Sequence, residues 1–166
     1  TLETGGFKPF PASYVWMNKY GDCKALSVYM KGLLSEAGIE SYYVHINSGT
    51  IAPEIIREAP GPQFNHMILC VPLNGDTLWL DNTTTTTPFA YIGADLSGRT
   101  ALLINGSESK LITMPSISAT DLMNHSTWVF DLDERGSGTA RGTVQFRGES
   151  FHSYAVYRKY ASEQRL

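Results

Sequence analysis

Three residue types that together can transfer an acyl group stand in order along this chain: a thiol at Cys23, an imidazole at His66 and a carboxylate at Asp81. A thiolate attacks a carbonyl carbon, an imidazole takes and returns the proton, and a carboxylate holds the imidazole in the right tautomer and stabilises its charged form. That chemistry requires the three groups to meet. The elements around them must therefore bring one helix end and two strands to a common point.

Cys23 follows Tyr20-Gly21-Asp22 and precedes Lys24 and an apolar-periodic run from Ala25 to Ala37. Leu26, Met30, Leu33, Leu34 and Ala37 recur three and four residues apart, which predicts a helix with one apolar stripe. Asp22 is suited to the N-cap and Gly38 to the C-cap, while Gly21 permits a sharp approach to the helix. A thiolate in the first turn faces the positive end of the helix dipole, which lowers a cysteine pKa from about 8.5 toward neutrality. Lys24 adds positive charge. The ordinary alternative is a free cysteine acting as a small buried hydrophobe, so a base within reach of the sulfur decides between the two.

The base comes from the clearest hairpin signal in the sequence. Phe64–Leu73 and Asp76–Asn82 flank Asn74-Gly75, a pair that favours the type I′ turn. A two-residue turn there sets Leu73 against Asp76 and Ile68 against Asp81. His66, Ile68 and Cys70 then share a face with Trp79 and Asp81, and His66 and Asp81 become diagonal neighbours about 7–8 Å apart at the backbone. The other face carries Met67, Leu69, Val71, Leu78 and Leu80, an apolar set that needs covering, so the hairpin is read as internal.

Elsewhere, residues 1–10 read as a loop and Pro11 as the first residue of a short helix through Asn18. Ser41–Ile46 is rich in β-formers, and Asn47–Gln63, with three prolines, reads as a long surface loop. Thr83–Thr87 reads as a loop and not as a site. Ala101–Ile104 and Leu111–Met114 read as two strands around a hairpin-type turn at Asn105-Gly106. Pro115–Ala119 looks like a boundary. Beyond it, Ser126–Leu132 and Thr139–Phe146 read as strands around a turn at Gly136–Gly138, whereas Ser150–Tyr160 fits no single element. The expected organisation is a core over residues 1–116 and a β-rich annex, or the start of a following domain, over residues 117–166.

At 166 residues and 42% hydrophobic content the chain can bury one ordinary core. A net charge of −3 with no basic stripe argues against a nucleic-acid partner, and no apolar run is long enough to span a bilayer. Two cysteines exclude a disulfide framework. The chain opens at Thr1 with neither an initiator Met nor a leader, and is expected to be a piece of a longer protein.

Gly21-Asp22-Cys23-Lys24, Phe64-Asn65-His66 and Trp79-Leu80-Asp81 followed by Asn82-Thr83 resemble the nucleophile, histidine and aspartate motifs of the transglutaminase-like superfamily, in the order of that family. The resemblance covers roughly residues 7 to 114 and is nearest to bacterial transglutaminase-like domains embedded in larger, commonly exported proteins. This chain has Asn82 where the family often has Pro, and Ala25 where the bacterial branch often has Asp. The resemblance implies an α+β papain-like fold, with the cysteine-bearing helix packed on an antiparallel sheet and an extra β segment at the C-terminal end. It also implies covalently linked flanking domains, a periplasmic or extracellular setting, and no cofactor. The superfamily holds proteases, glutamine–lysine cross-linkers, N-glycan-removing enzymes and members without activity.

The expected function is thiol-dependent acyl transfer on a peptide or protein substrate. Hydrolysis is preferred to transfer onto an amine, because nothing in the chain marks an amine site. The alternative is a non-catalytic binding or scaffold module of a larger cell-envelope protein. Cys23, His66 and Asp81 are the candidate catalytic residues, and Trp16, Tyr20 and Asp22 are candidates for substrate contact or the oxyanion site. A zinc set of Cys23, His45, His66 and Asp81 lacks the close paired spacing of common zinc sites, so no metal is expected. Cys70 reads as a core thiol, about 13 Å along its strand from His66, and His45 as a satisfied strand histidine.

Overall fold

The computed structural model describes Gly6 and residues 8–163; most of the leading loop expected over residues 1–10 lies outside them. The chain divides into two compact units, Thr1–Ser116 and Ile117–Leu166.

The first unit opens with α1 (Ala12–Asn18). Pro11 stands one place earlier than expected, at the extended N-cap, with ψ 156°. Helix α2 (Cys23–Glu36) starts where Asp22 caps it, its carboxylate accepting the Ala25 N–H at 2.9 Å. A cap of this kind contributes about 1 kcal/mol. At the other end Gly38 takes φ +72°, and the N–H groups of Gly38 and Ile39 donate to Ser35 and Leu34, closing a Schellman motif.

The buried side of α2 differs from the expected leucine stripe. Ala25 and Ser27 are fully buried, whereas Leu33 is 48% exposed and Ala37 is exposed. Small residues face inward at the cysteine end because neighbouring elements come close there. A Cβ on Gly21 would stand 3.1 Å from Ala25 Cβ and 3.2 Å from Val15 Cγ2. Gly21 therefore serves close packing of α1 on α2; its φ is not in the left-handed region.

Five antiparallel strands follow: β1 (Tyr42–Ile46), β2 (His66–Leu73), β3 (Asp76–Leu80), β4 (Thr100–Ile104) and β5 (Lys110–Thr113), in the order β3-β2-β1-β4-β5. Met67 through Val71 are all buried, so β2 is covered on both faces, while β3 forms the sheet edge. Burial of Ile68 or Leu69 contributes about 1.5–3 kcal/mol each. His66 thus begins the best-anchored strand of the unit.

Asn74 (φ 53°) and Gly75 (φ 82°) form the two-residue turn, with Leu73 opposite Asp76 and Leu69 opposite Leu80. Regular pairing stops one step before Asp81. The β4–β5 connection is not a second type I′ turn: Asn105 has φ −143° and a 3-10 turn over Gly106–Glu108 lengthens the link. Ser109 Oγ donates to the Gly106 carbonyl and accepts the Asn105 N–H, which stabilises that longer form.

The long loop after β1 is tied down by side chains. Asn47, 4% exposed, donates to the Pro53 carbonyl and accepts the Asn65 N–H. Asn65 in turn accepts from Ser48 N–H and donates to its carbonyl. Asp95 accepts the Ser48 hydroxyl and the Gly49 N–H, and Arg99 donates to the carbonyls of Gly49 and Ala52.

The second unit holds α3 (Ala119–Leu122), β6 (His125–Leu132), β7 (Gly138–Gln145) and α4 (Gly148–Glu163). Its β part is a hairpin closed by a turn over residues 133–137, in which Asp133 accepts the N–H groups of Arg135 and Ser137. Gly142 lies opposite Trp128, and a Cβ there would run into the indole ring. The 16-residue α4 gives the segment left open in the sequence a definite form, so this unit is as helical as it is β. Its aromatic residues, at 151, 154, 157 and 160, recur every three residues.

Candidate active site

Cys23 is the first residue of α2, partly buried, with its backbone N–H among those that have no intrahelical acceptor. Facing it is His66, the first residue of β2, whose imidazole stands close enough to the thiol to favour its ionised form. The Met67 backbone N–H acts on the same sulfur in the same direction. One helical turn beyond Cys23, the fully buried Ser27 hydroxyl donates to the Met67 carbonyl at 3.3 Å and so links the helix to the strand beside the thiol.

Asp81 lies just past the end of β3, and its Oδ2 stands 2.8 Å from His66 Nε2. The diagonal placement expected from the hairpin register thus becomes a direct contact. With Nε2 held by Asp81, Nδ1 is the ring nitrogen left for the sulfur. The second carboxylate oxygen of Asp81 accepts two bonds from Thr83, from the backbone N–H at 2.9 Å and from the hydroxyl at 2.6 Å.

The protonation states follow from these contacts. Burial disfavours a charged imidazole, but the bonds to Asp81 and Cys23 outweigh it and push the His66 pKa up to about 9. Burial likewise raises the Cys23 thiol, yet the bond to His66, the imidazole charge and the Met67 N–H bring it below its ordinary value. For Asp81 burial is again opposed, by His66 and then by Thr83, which hold its carboxyl below the usual range. The two shifts favour each other: the imidazole lowers the thiol, and the thiol, after Asp81, raises the imidazole.

Of the other sequence candidates, Asp22 serves as a cap. Burial alone would raise its carboxyl, but the Lys24 ammonium at 2.8 Å and the Ala25 N–H hold it ionised and lowered. An ionised carboxylate only accepts hydrogen bonds, so Asp22 cannot donate to an oxyanion. Trp16 and Tyr20 are both 61% exposed, and Lys19 Nζ sits 3.4 Å from the Trp16 ring centroid. Neither ring has a hydrogen bond or ring contact with Cys23, His66 or Asp81 among the described residues.

His45 pairs with Met67 while Ile46 pairs with His66, so the two imidazoles stand on opposite faces of the sheet. Burial, then the Lys24 charge, lowers the His45 pKa, and its ring meets Phe64 edge-on. Cys70 is 6% exposed and burial raises its thiol. Among the described residues no group of three or more His, Cys, Asp or Glu side chains is arranged to hold a metal ion. No helix among them is long and apolar enough to cross a membrane.

Sequence reasoning set aside Thr83 with the threonine run and overlooked Ser27. Both left a local signal. Asp-Asn-Thr at a strand end is the pattern of an Asx turn, and Ser27 falls four residues after Cys23, on the same helix face. Comparisons of the chain with protein families, with curated proteins and with solved structures return no match. What the coordinates define is a mixed α+β protein with, in its first unit, a cysteine, a histidine and an aspartate joined in series.

Proposed function

We propose that the first unit is a thiol-dependent acyl transferase of the papain-like, transglutaminase-like class, acting on a peptide or other amide by way of a thioester on Cys23. The observation that carries this reading is the 2.8 Å bond from Asp81 to His66, on an imidazole that stands beside the Cys23 thiol and lowers it.

The Cys23 thiolate attacks the substrate carbonyl carbon, forming a carbon–sulfur bond and placing negative charge on the carbonyl oxygen. The Cys23 backbone N–H, free at the helix start, is the nearest donor in sequence for that charge. The intermediate collapses as His66 passes its proton to the leaving nitrogen, so the carbon–nitrogen bond breaks and a thioester is left. A water or an amine then attacks, His66 takes its proton, and the thiolate leaves. Asp81 keeps the imidazole oriented throughout and stabilises its charged form. Water is the preferred acceptor, since no residue set marks an amine site.

The experiment is acylation by p-nitrophenyl acetate followed by mass spectrometry of the intact chain, with and without a simple primary amine. The expected result is one acetyl group on Cys23 in the wild type, none in Cys23→Ala, strong loss in His66→Gln, and release as acetate. Acetylated amine in place of acetate would assign the transferase outcome. Absence of Cys23 acylation, or acylation indifferent to His66, would leave the non-catalytic scaffold reading.

A further inference from the structure

We infer that Thr83 is a positioning residue for this site, holding the Asp81 carboxylate in the orientation that presents Oδ2 to His66. The inference rests on the acyl-transfer reading above and adds to it a residue outside the Cys-His-Asp set.

A carboxylate at the end of a strand turns freely about its side-chain bonds unless something fixes it. Asp81 is at such a place, because regular β2–β3 pairing ends at Leu69 and Leu80. Its backbone is thus not held by a further ladder step, and its side chain is fixed from the two oxygens. Oδ2 meets His66 Nε2 at 2.8 Å, while Oδ1 accepts both the Thr83 N–H at 2.9 Å and the Thr83 hydroxyl at 2.6 Å. Two donors from one residue on one oxygen define the carboxylate plane. The Asp81 side chain is 18% exposed and that of His66 13% exposed, so the bond between them is shielded from water, while the Thr83 bonds hold Oδ1 from the exposed side of the site.

The backbone bond closes an Asx turn, which Asp favours wherever the chain turns after a strand. The hydroxyl bond is different, because it needs a Thr or Ser at this position, and a turn alone does not require it. Asn82 between them supplies neither donor. The arrangement places Thr83 behind the acid, in series with acid, imidazole and thiol.

Two roles for that hydroxyl have opposite signatures. If it fixes orientation, its loss lets the carboxylate swing away, the imidazolium loses support, and the Cys23 thiol becomes harder to ionise. If it merely draws charge from the carboxylate, its loss makes Asp81 a stronger acceptor, and the thiol becomes easier to ionise. The charged and titratable groups facing the pair are Asp81 and Cys23 around His66, with Asp22 acting on the thiol and Lys24 neutralising Asp22. The substitution alters none of them.

The test is the pH dependence of Cys23 alkylation by iodoacetamide in the full chain, comparing wild type with Thr83→Val and Thr83→Ser. Valine keeps the β-branched shape and the backbone N–H and removes only the hydroxyl donor; serine restores it. The expected result is a Cys23 midpoint raised by about half a pH unit or more in Thr83→Val and a Thr83→Ser profile that overlays wild type. A Thr83→Val midpoint that is unchanged or lowered, in a protein whose wild-type profile still depends on His66, overturns the positioning role alone. A wild-type profile that does not depend on His66 overturns the acyl-transfer reading and the role of Thr83 with it.

Discussion

Asp81 Oδ2 lies 2.8 Å from His66 Nε2, although His66 opens β2 and Asp81 lies just past the end of β3, fifteen residues on in sequence. A symmetric hairpin register and an Asx turn together produce this contact. It sets the protonation of the imidazole and, through it, that of the Cys23 thiol.

Removing the acid should undo that setting. In Asp81→Ala the His66 pKa is expected to fall from about 9 toward its ordinary 6.5, since the carboxylate that chiefly opposes burial is gone and only Cys23 still raises it. An NMR titration of the His66 ring protons reads this directly. The acylation rate at neutral pH should drop by about 10²-fold.

The pH profile should differ between substrate types. Acylation by an ester and by an anilide should both rise with pH as the lowered Cys23 thiol ionises. Above about 9, where His66 loses its proton, the anilide rate should fall, because its leaving nitrogen needs that proton, while the ester rate stays level. Parallel profiles for the two would deny His66 a general-acid role.

Stability should depend on pH on both the acid and the alkaline side. His66, with a raised pKa, contributes stability that is complete below its unfolded 6.5 and is lost as pH rises toward about 9. The lowered Cys23 thiol contributes in the opposite sense, gaining up to its unfolded 9.0, and so offsets part of that loss. Asp81 and Asp22, both lowered from 3.8, contribute stability above that value that is lost as pH falls through their folded values. Urea midpoints should therefore decline in acid, with a smaller acid decline in Asp81→Ala, and should fall toward pH 9 by less than the raised His66 alone would give.

Gly21 should not accept even a methyl group cheaply. A Cβ there would crowd Ala25 and Val15 at 3.1 and 3.2 Å, both parts of buried packing. Gly21→Ala is expected to cost about 1–3 kcal/mol in urea denaturation and to slow Cys23 alkylation, because the crowded point adjoins the start of α2.

The site was legible in the sequence to the extent that local rules governed it. Asn74-Gly75 set the hairpin register, and Asp22 and Gly38 set the ends of α2, because turn and cap chemistry act over a few residues. The inward face of α2 was not legible. Leucine periodicity pointed to Leu33, whereas close approach of α1 and β2 chose the small residues Ala25 and Ser27, a matter of tertiary packing. Asn105-Gly106 misled for a related reason, since Ser109 stabilises a longer connection that the pair alone does not reveal. Thr83 was hidden in a run of five threonines, of which composition could not single one out.

The central claim, that Cys23 is ionised by its bond to His66, is tested most directly by iodoacetamide labelling across pH, with Cys70 as the internal reference. The account predicts that Cys23 labels well below pH 8, that His66→Gln moves its midpoint up to that of an ordinary thiol, and that buried Cys70 labels slowly throughout. Equal labelling of both thiols, or a Cys23 profile that His66→Gln leaves in place, would contradict it.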